Sequence, residues 1–313
     1  MQRIDRDHFP TRPAVVTIGN FDGVHIGHQA LLSVALREAK ERGGDMVVMT
    51  FAPHPMSVLR PESPVYLITP IDLKLYYLGL SGVKWVDILP FSQDIAIIPP
   101  LAFLELYLVQ RLHVKAIVIG YNFTFGAGGL GNASTIEEWG RSRQVAVHVV
   151  EPVKDGAHVD AVVSSTLIRG LIREGRVKEA RQFLGHPFAV MSPVYSGDAR
   201  GRTMGIPTAN LVPPPDQIMP PFGVYAGFLH YDQGRVPAVA NWGIRPTFGG
   251  TNPVLEVHIL IDQNWSFSGP VRFDFIDYLR PEQKFGSTAD LINQIQTDIV
   301  MAKRVLETVQ TTP

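Results

Sequence analysis

His25 and His28 stand three residues apart in the segment Gly19-Asn20-Phe21-Asp22-Gly23-Val24-His25-Ile26-Gly27-His28. Imidazoles so spaced share one face if a helix begins beneath them. Gly19, Gly23 and Gly27 let the chain turn sharply and approach a ligand, and the unpaired N–H groups of a helix start favour an anion. The positive end of the helix dipole disfavours imidazolium, so histidines placed there have reason to serve a negatively charged ligand. The same residues would also fit an ordinary polar loop or half of a metal site. Zinc is disfavoured, because the chain has no cysteine and no third ligand recurs at suitable spacing. The segment is also not a G-x-G-x-x-G dinucleotide turn.

Three further places carry oxygen and nitrogen groups in patterns that suit phosphate chemistry. In Val163-Ser164-Ser165-Thr166-Leu167-Ile168-Arg169, the hydroxyls can cap a helix, and a cap and a phosphate cradle use the same geometry. Arg169 falls near the start of that helix, where a cation opposes the dipole unless an external anion offsets it, and its planar fork suits phosphate. The glycine-punctuated run Gly197 to Asn210 ends in Thr208 and Asn210, which point the same way on an extended chain and offer hard oxygen ligands. In Leu255-Glu256-Val257-His258-Ile259-Leu260-Ile261, alternation sets Glu256 and His258 apart from the apolar face, and a carboxylate so placed could take a hydroxyl proton. A solvent-facing Glu on a half-buried strand, and a polar surface turn at Thr208 and Asn210, are the plainer readings. His54, between two prolines, is as well explained as a rigid-turn residue.

The elements that must position these groups fall into two textures. In the first half, β-branched runs (Ala14 to Ile18, Met46 to Phe51, Trp85 to Leu89, Ala116 to Gly120, Val145 to Val150) alternate with helical stretches at Gln29 to Arg42, Ile71 to Leu80, Leu101 to Leu112 and Thr135 to Arg143. This is the pattern of a doubly wound parallel sheet, whose ligands sit beyond the carboxyl ends of its strands. A helix is expected from Leu167 to Leu184, stopped by Gly185-His186-Pro187. Beyond it, glycine and proline turns separate short strands such as Gly223 to His230, as in a small antiparallel barrel. A last helix is capped by Ser287 and carries Leu291, Ile295, Ile299, Ala302 and Leu306 on one stripe. The expected domains are residues 1–186 and 187–313. With 28 basic against 29 acidic residues and a net charge of −1, no basic excess argues for nucleic acid. Neither a signal peptide nor a bilayer-spanning apolar stretch is legible. The expectation is a soluble cytoplasmic protein with no nucleic-acid or membrane partner, and its oligomeric state, monomer or transient oligomer, stays open.

The first segment resembles the H-x-G-H signature of nucleotidylyltransferases. Together with Thr50-Phe51-Ala52-Pro53-His54-Pro55, Ile119 to Gly126 and Val163 to Arg169, it resembles the bifunctional bacterial riboflavin kinase/FAD synthetase family. In the second half Gly201-Arg202-Thr203 through Leu211, Pro221 to Ala226, Asn241 to Phe248, Glu256-Val257-His258 and Leu279 to Phe285 follow the order of riboflavin kinase domains. The resemblance implies a Rossmann-like N-terminal FMN adenylyltransferase followed by a β-barrel riboflavin kinase, with riboflavin, FMN, FAD and ATP as substrates and products and Mg²⁺ as metal. It implies catalytic roles for His25, His28 and Arg169, and for Glu256 as base on the ribityl hydroxyl. Nucleotide contacts are implied for Gly19, Phe21, Asp22, Gly23, Gly27, Ser164, Ser165 and Thr166, and in the kinase half for Gly201, Thr203, Gly205 and Pro207. Flavin contacts are implied for Asn122, Phe123, Phe125 and Arg280, and metal contacts for Thr208 and Asn210. The chain departs from the commoner pattern at Asn122 and Thr124, where relatives often carry Asp and Arg, and at Ser266-Phe267-Ser268-Gly269, where Leu-Tyr-Gly is usual. Two other readings remain: a nucleotidylyltransferase with a different acceptor and a merely binding barrel, or a flavin-binding regulator with degenerate sites.

Overall fold

The computed structural model describes residues 1–5, 8–63, 65–153, 162–195, 208–244, 253–261 and 266–310. Its contacts divide the chain into two compact units, Met1–Ser165 and Thr166–Pro313.

Six strands build the first unit: β1 (Gln2–Arg3), β2 (Ala14–Ile18), β3 (Asp45–Phe51), β4 (Trp85–Leu89), β5 (Val114–Gly120) and β6 (Ala146–Val150). They lie in the order β1-β4-β3-β2-β5-β6, and every neighbouring pair is parallel. A parallel sheet must be covered on both faces, and β2 is buried along its whole length. From β2 the chain builds outward first through β3 and β4, then on the other side through β5 and β6. The order therefore reverses between β2 and β5, and the crevice at that reversal opens where Gly19 and Tyr121 leave the sheet.

Helix bounds differ from the periodicity at four places, one of them a start at Ala133 rather than Thr135, where Asn132 is the cap. The helix Ile26–Glu41 starts three residues before Gln29, because His25 caps it. The expected helix Leu101 to Leu112 is a short α-helical turn, Pro100–Phe103, running into a π-helical stretch, Leu104–Gln110. There Glu105 accepts from Trp139 Nε1 at 2.9 Å and pairs with Arg143 at 2.8 Å. The single helix expected from Leu167 to Leu184 is two, Ser165–Arg173 and Val177–Leu184. Gly175 breaks it at φ 76°. Its N–H bonds Ile172 O at 3.0 Å and the N–H of Arg176 bonds Leu171 O at 2.9 Å, the paired closure by which a left-handed glycine ends a helix.

The second unit is one antiparallel sheet of β7 (Phe188–Ser192), β8 (Val194–Tyr195), β9 (Thr208–Leu211), β10 (Gly223–Tyr231), β11 (Gly234–Ile244), β12 (Pro253–Ile259) and β13 (Val271–Pro281), ordered β7-β13-β10-β11-β12-β9-β8. β7 and β8 are its two edges, yet only Pro193 separates them in sequence. The sheet must therefore curl until its edges nearly meet, and Val212 N donates to Ser192 Oγ at 3.3 Å beside that seam. Leu255, Val257 and Ile259 alternate inward and are buried. On the opposite face Val224, Ala226, Phe228 and Val239 pack against Ala302 and Leu306 of the last helix, Thr288–Gln310. As expected, Ser287 Oγ accepts from Asp290 N at 3.1 Å at that helix's start. Among the described residues no helix is long and apolar enough to cross a membrane.

Candidate functional site

At the end of β2 the chain passes through Phe21 at φ 48°, Gly23 at φ 86° and Val24 at φ 38°. Left-handed backbone at non-glycine residues stores about 1–3 kcal/mol each and persists only where surroundings over-determine it. Here Asp22, almost wholly buried, supplies the constraint. Its Oδ1 accepts from Ile68 N at 2.9 Å, Thr69 N at 3.0 Å and Thr69 Oγ1 at 3.4 Å, while Gly23 N donates to Thr69 Oγ1 at 2.8 Å. The turn then enters the helix with His25 as N-cap, its Nδ1 accepting from His28 N at 3.3 Å. That bond fixes Nδ1 as the unprotonated nitrogen of His25. The two imidazoles stack with ring centroids 3.6 Å apart, and Phe21 lies 5.2 Å from the His28 ring. The spacing of the two histidines thus places them together at the helix start, at the crevice where the strand order reverses.

The electrostatics of this turn include a residue that the sequence reading did not single out. Burial pushes the His28 imidazole well below its ordinary pKa, and the neighbouring His25 and Lys74 push it further. Lys74, in the helix Ile71–Leu80, is itself buried. That burial pulls its ammonium down from the usual lysine range, partly offset by Asp22. A charged residue on the buried side of the helix, among Leu73, Tyr77 and Leu78, was the available signal.

The other residues expected at this end are placed as follows. Ser165 Oγ donates to Asp22 O at 2.8 Å, which brings the Ser164-Ser165 segment to the histidine-bearing turn. Asn122 is exposed just past β5. Phe123 stacks on Phe125 at 5.6 Å, and Phe125 belongs to the hydrophobic core. Within the second unit, Arg169 Nη2 reaches Thr166 Oγ1 at 3.4 Å. His54 caps the short helix Pro55–Leu59, accepting from Met56 N at 3.2 Å, as a turn residue does.

A separate cavity of about 310 Å³ lies on the helix-covered face of the curled sheet, and Thr208, Asn241, Glu256, His258 and Arg280 are among its lining. Strand register explains the grouping. Glu256 sits opposite Asn210 on one side and Asn241 on the other, and His258 sits opposite Thr208. Residues directly opposite in an antiparallel ladder share a face, so Asn210, Glu256 and Asn241 form one polar row across three strands, with Thr208 and His258 the next row along. Arg280 Nε and Nη2 grip Asp298 Oδ1 and Oδ2 at 2.9 and 2.8 Å, and Nη1 donates to Pro281 O at 2.9 Å. Asp298, buried on the last helix, also accepts from Gln294 Nε2 at 2.9 Å. Sequence reasoning missed it, although it interrupts the apolar stripe between Ile295 and Ile299. Gly201, Thr203, Gly205 and Pro207 lie outside the described residues.

Comparison with known proteins matches both halves. Residues 8–167 match the FAD synthetase family and residues 184–306 the riboflavin kinase family. The bifunctional riboflavin kinase/FMN adenylyltransferase of Escherichia coli (strain K12) is 35% identical over 295 residues, covering 94% of this chain and 93% of the relative. The protein of the same name from Bacillus subtilis (strain 168) is 33% identical over 289 residues, covering 91% and 90%. A crystal structure described as a macrolide-efflux protein from Streptococcus pneumoniae superposes with a TM-score of 0.83 at 32% identity, over 96% of this chain and 98% of that one. With two family matches in tandem on a parallel sheet and a curled antiparallel sheet, and whole-length relatives at a third of residues identical, this chain belongs to the bifunctional riboflavin kinase/FMN adenylyltransferase family.

Proposed function

We propose that the chain converts riboflavin to FAD in two ATP-dependent steps at separate sites. In the kinase half, the ribityl hydroxyl gives its proton to Glu256 as its oxygen attacks the γ-phosphorus of ATP, and ADP leaves with FMN formed. In the other half, an FMN phosphate oxygen attacks the α-phosphorus of ATP in line, and pyrophosphate leaves with FAD formed. Neither step needs a covalent enzyme intermediate, so positioning and charge stabilisation carry both. The observation that most supports this reading is the polar row Asn210–Glu256–Asn241 at a cavity that Glu256 shares with Thr208.

Thr208 and Asn210 are the proposed Mg²⁺ ligands of the kinase half, since hydroxyl and amide oxygens beside a carboxylate form the hard donor set that Mg²⁺ prefers. Bound there, the ion would neutralise charge on the nucleotide phosphates. In the first half, the neutral imidazoles of His25 and His28 are proposed to donate to ATP phosphate oxygens, with Ser164, Ser165, Thr166 and Arg169 holding the β- and γ-phosphates. Asn122 is proposed as a flavin contact and Phe123 as the ring beside it. Phe125, as a core residue, would act by holding Phe123. Arg280, whose fork is engaged by Asp298, would present its flat face and Nη1 side to flavin. The proposed boundary between modules is 186/187, with residues 1–186 as the adenylyltransferase and 187–313 as the kinase, in the cytoplasm.

Incubation with riboflavin, ATP and Mg²⁺, followed by separation of the flavins, tests the reading. FMN followed by FAD is expected. FAD formed only from supplied FMN would reduce the chain to an adenylyltransferase, and no product at all would leave a flavin binder. A finer expectation concerns Gly27, where an added Cβ would lie 3.2 Å from Cε1 and Nδ1 of His25. Alanine is better than glycine inside a helix by about 1 kcal/mol, so Gly27→Ala should keep or raise the melting temperature. It should nevertheless lower kcat/KM for FMN adenylylation about tenfold, or ~1.4 kcal/mol, because the imidazole must shift. Unchanged adenylylation would show that the His25 ring position is not critical.

A further inference from the structure

Lys74 is buried at 3% exposure, and the described residues around it do not satisfy it. The helix that carries it is stapled to the histidine-bearing turn: Asp22 accepts from Ile68 N and Thr69 N, Gly23 N donates to Thr69 Oγ1, and Lys74 N bonds Pro70 O at 2.9 Å one turn further on. The helix that carries Lys74 is therefore held against the turn, and the charge of Lys74 acts on both Asp22 and His28. Yet the Lys74 side chain makes no hydrogen bond or ion pair among the described residues. Asp22, the carboxylate whose charge it feels, spends Oδ1 on three donors from residues 68 and 69. On the other side of the same turn, Nδ1 of His28 is buried and has no hydrogen-bond partner among the described residues. A buried ammonium without an acceptor is unfavourable, and lysines kept for folding are paired. Two nitrogen groups with no hydrogen-bond partner among the described residues, held on two elements that are bonded together, describe a place suited to an anion.

We infer that Lys74 contacts the phosphate chain of ATP in the adenylyl-transfer site, on the side that departs as pyrophosphate, completing with His28 a cradle for negative charge. The inference rests on the adenylyltransferase reading of this unit and adds a residue to it. An ammonium is a compact point charge well suited to a phosphate oxygen. Its burial means the charge acts through little water, so its contribution grows as negative charge collects on the leaving pyrophosphate. The reduced proton affinity of Lys74 has the matching sign: burial holds the ammonium at a cost that a bound polyphosphate would relieve.

Lys74→Met and Lys74→Arg in the full-length protein test this, with FMN adenylylation, riboflavin phosphorylation, melting temperature and calorimetric binding of inorganic pyrophosphate with Mg²⁺ as readouts. Lys74→Met should lower kcat/KM for ATP in adenylylation by at least a hundredfold and weaken pyrophosphate binding at least tenfold. Riboflavin phosphorylation should stay within twofold. The melting temperature of the ligand-free protein should hold or rise, because an unpaired buried charge has been removed, and Lys74→Arg should recover part of the ATP effect. A lower melting temperature, or loss of both activities together, would make Lys74 a structural residue and overturn the inference, as would unchanged ATP kinetics. A change confined to the KM for FMN would overturn the assignment to the ATP phosphates. If the unmodified protein forms no FAD from FMN, the adenylyltransferase reading fails, while the pyrophosphate titration still decides whether Lys74 holds a phosphate.

Discussion

Replacing Glu256 with glutamine should cut riboflavin phosphorylation by about a thousandfold while leaving adenylylation of supplied FMN within twofold. Glutamine keeps the shape of the side chain and the strand position between Asn210 and Asn241, so the ladder and the cavity survive. What it removes is the capacity to take a proton, and a positioned general base is worth about 10²–10⁴ in rate. Because phosphoryl transfer passes through a loose transition state, part of the rate remains when the base is gone, so the loss should fall inside that range rather than be complete. The measurement is paired: FMN formed from riboflavin, and FAD formed from FMN, on the same preparation. A drop of similar size in both would mean the two reactions do not have separate sites. A drop below tenfold in phosphorylation would leave Glu256 as a polar wall residue and move the base elsewhere in the cavity.

The fold was legible where a single strand or helix carries its own evidence. The run Ala14–Ile18 is apolar apart from Thr17 and β-branched in four of its five residues, as suits a strand with both faces covered, and its bounds follow from sequence alone. Alternation along Leu255 to Ile259 likewise separated Glu256 and His258 from the buried face before any partner strand was known. What alternation could not supply is register: that Glu256 stands opposite Asn210 rather than Thr208 depends on pairing across more than forty positions of chain, and a shift of one residue would turn the side chains to the other face. Gly175 is a different case. An amphipathic stripe ran through it on either side, and the stripe outweighed the glycine, although a left-handed closure needs only that one residue. Lys74 and Asp298 passed unnoticed for a common reason. Both are charges on the buried side of a helix, where periodicity treats a polar residue as noise, whereas burial makes it costly enough to need a partner or a ligand. Asp298 has its partner in Arg280. Lys74 has none among the described residues, which is why its meaning is functional rather than architectural.

His28→Ala should reverse the Glu256 pattern, lowering FAD formation from FMN by about a hundred- to a thousandfold while riboflavin phosphorylation stays within twofold. That is the range lost when one preorganised donor to a developing charge is removed. The substitution also has a signature in stability that a change in phosphate contact alone would not produce. The ring packs at 3.6 Å on His25 and 5.2 Å from Phe21, so at pH 8 its loss should lower the stability of the first unit by about 1 kcal/mol. Burial, and then the neighbouring His25 and Lys74, hold the folded-state pKa of His28 well below its ordinary value. Above about pH 6.5 the ring is neutral in both folded and unfolded chains, and protonation adds nothing. As pH falls below that point the unfolded chain takes up a proton that the folded chain refuses, so the wild-type protein loses stability that the alanine variant does not. The gap in melting temperature between the two proteins should therefore be widest at pH 8 and narrow, or change sign, by pH 5. Calorimetry at the two pH values decides it: a gap that stays constant would mean that His28 is protonated as readily in the folded chain as outside it, and a neutral imidazole donating to phosphate could not then be its role.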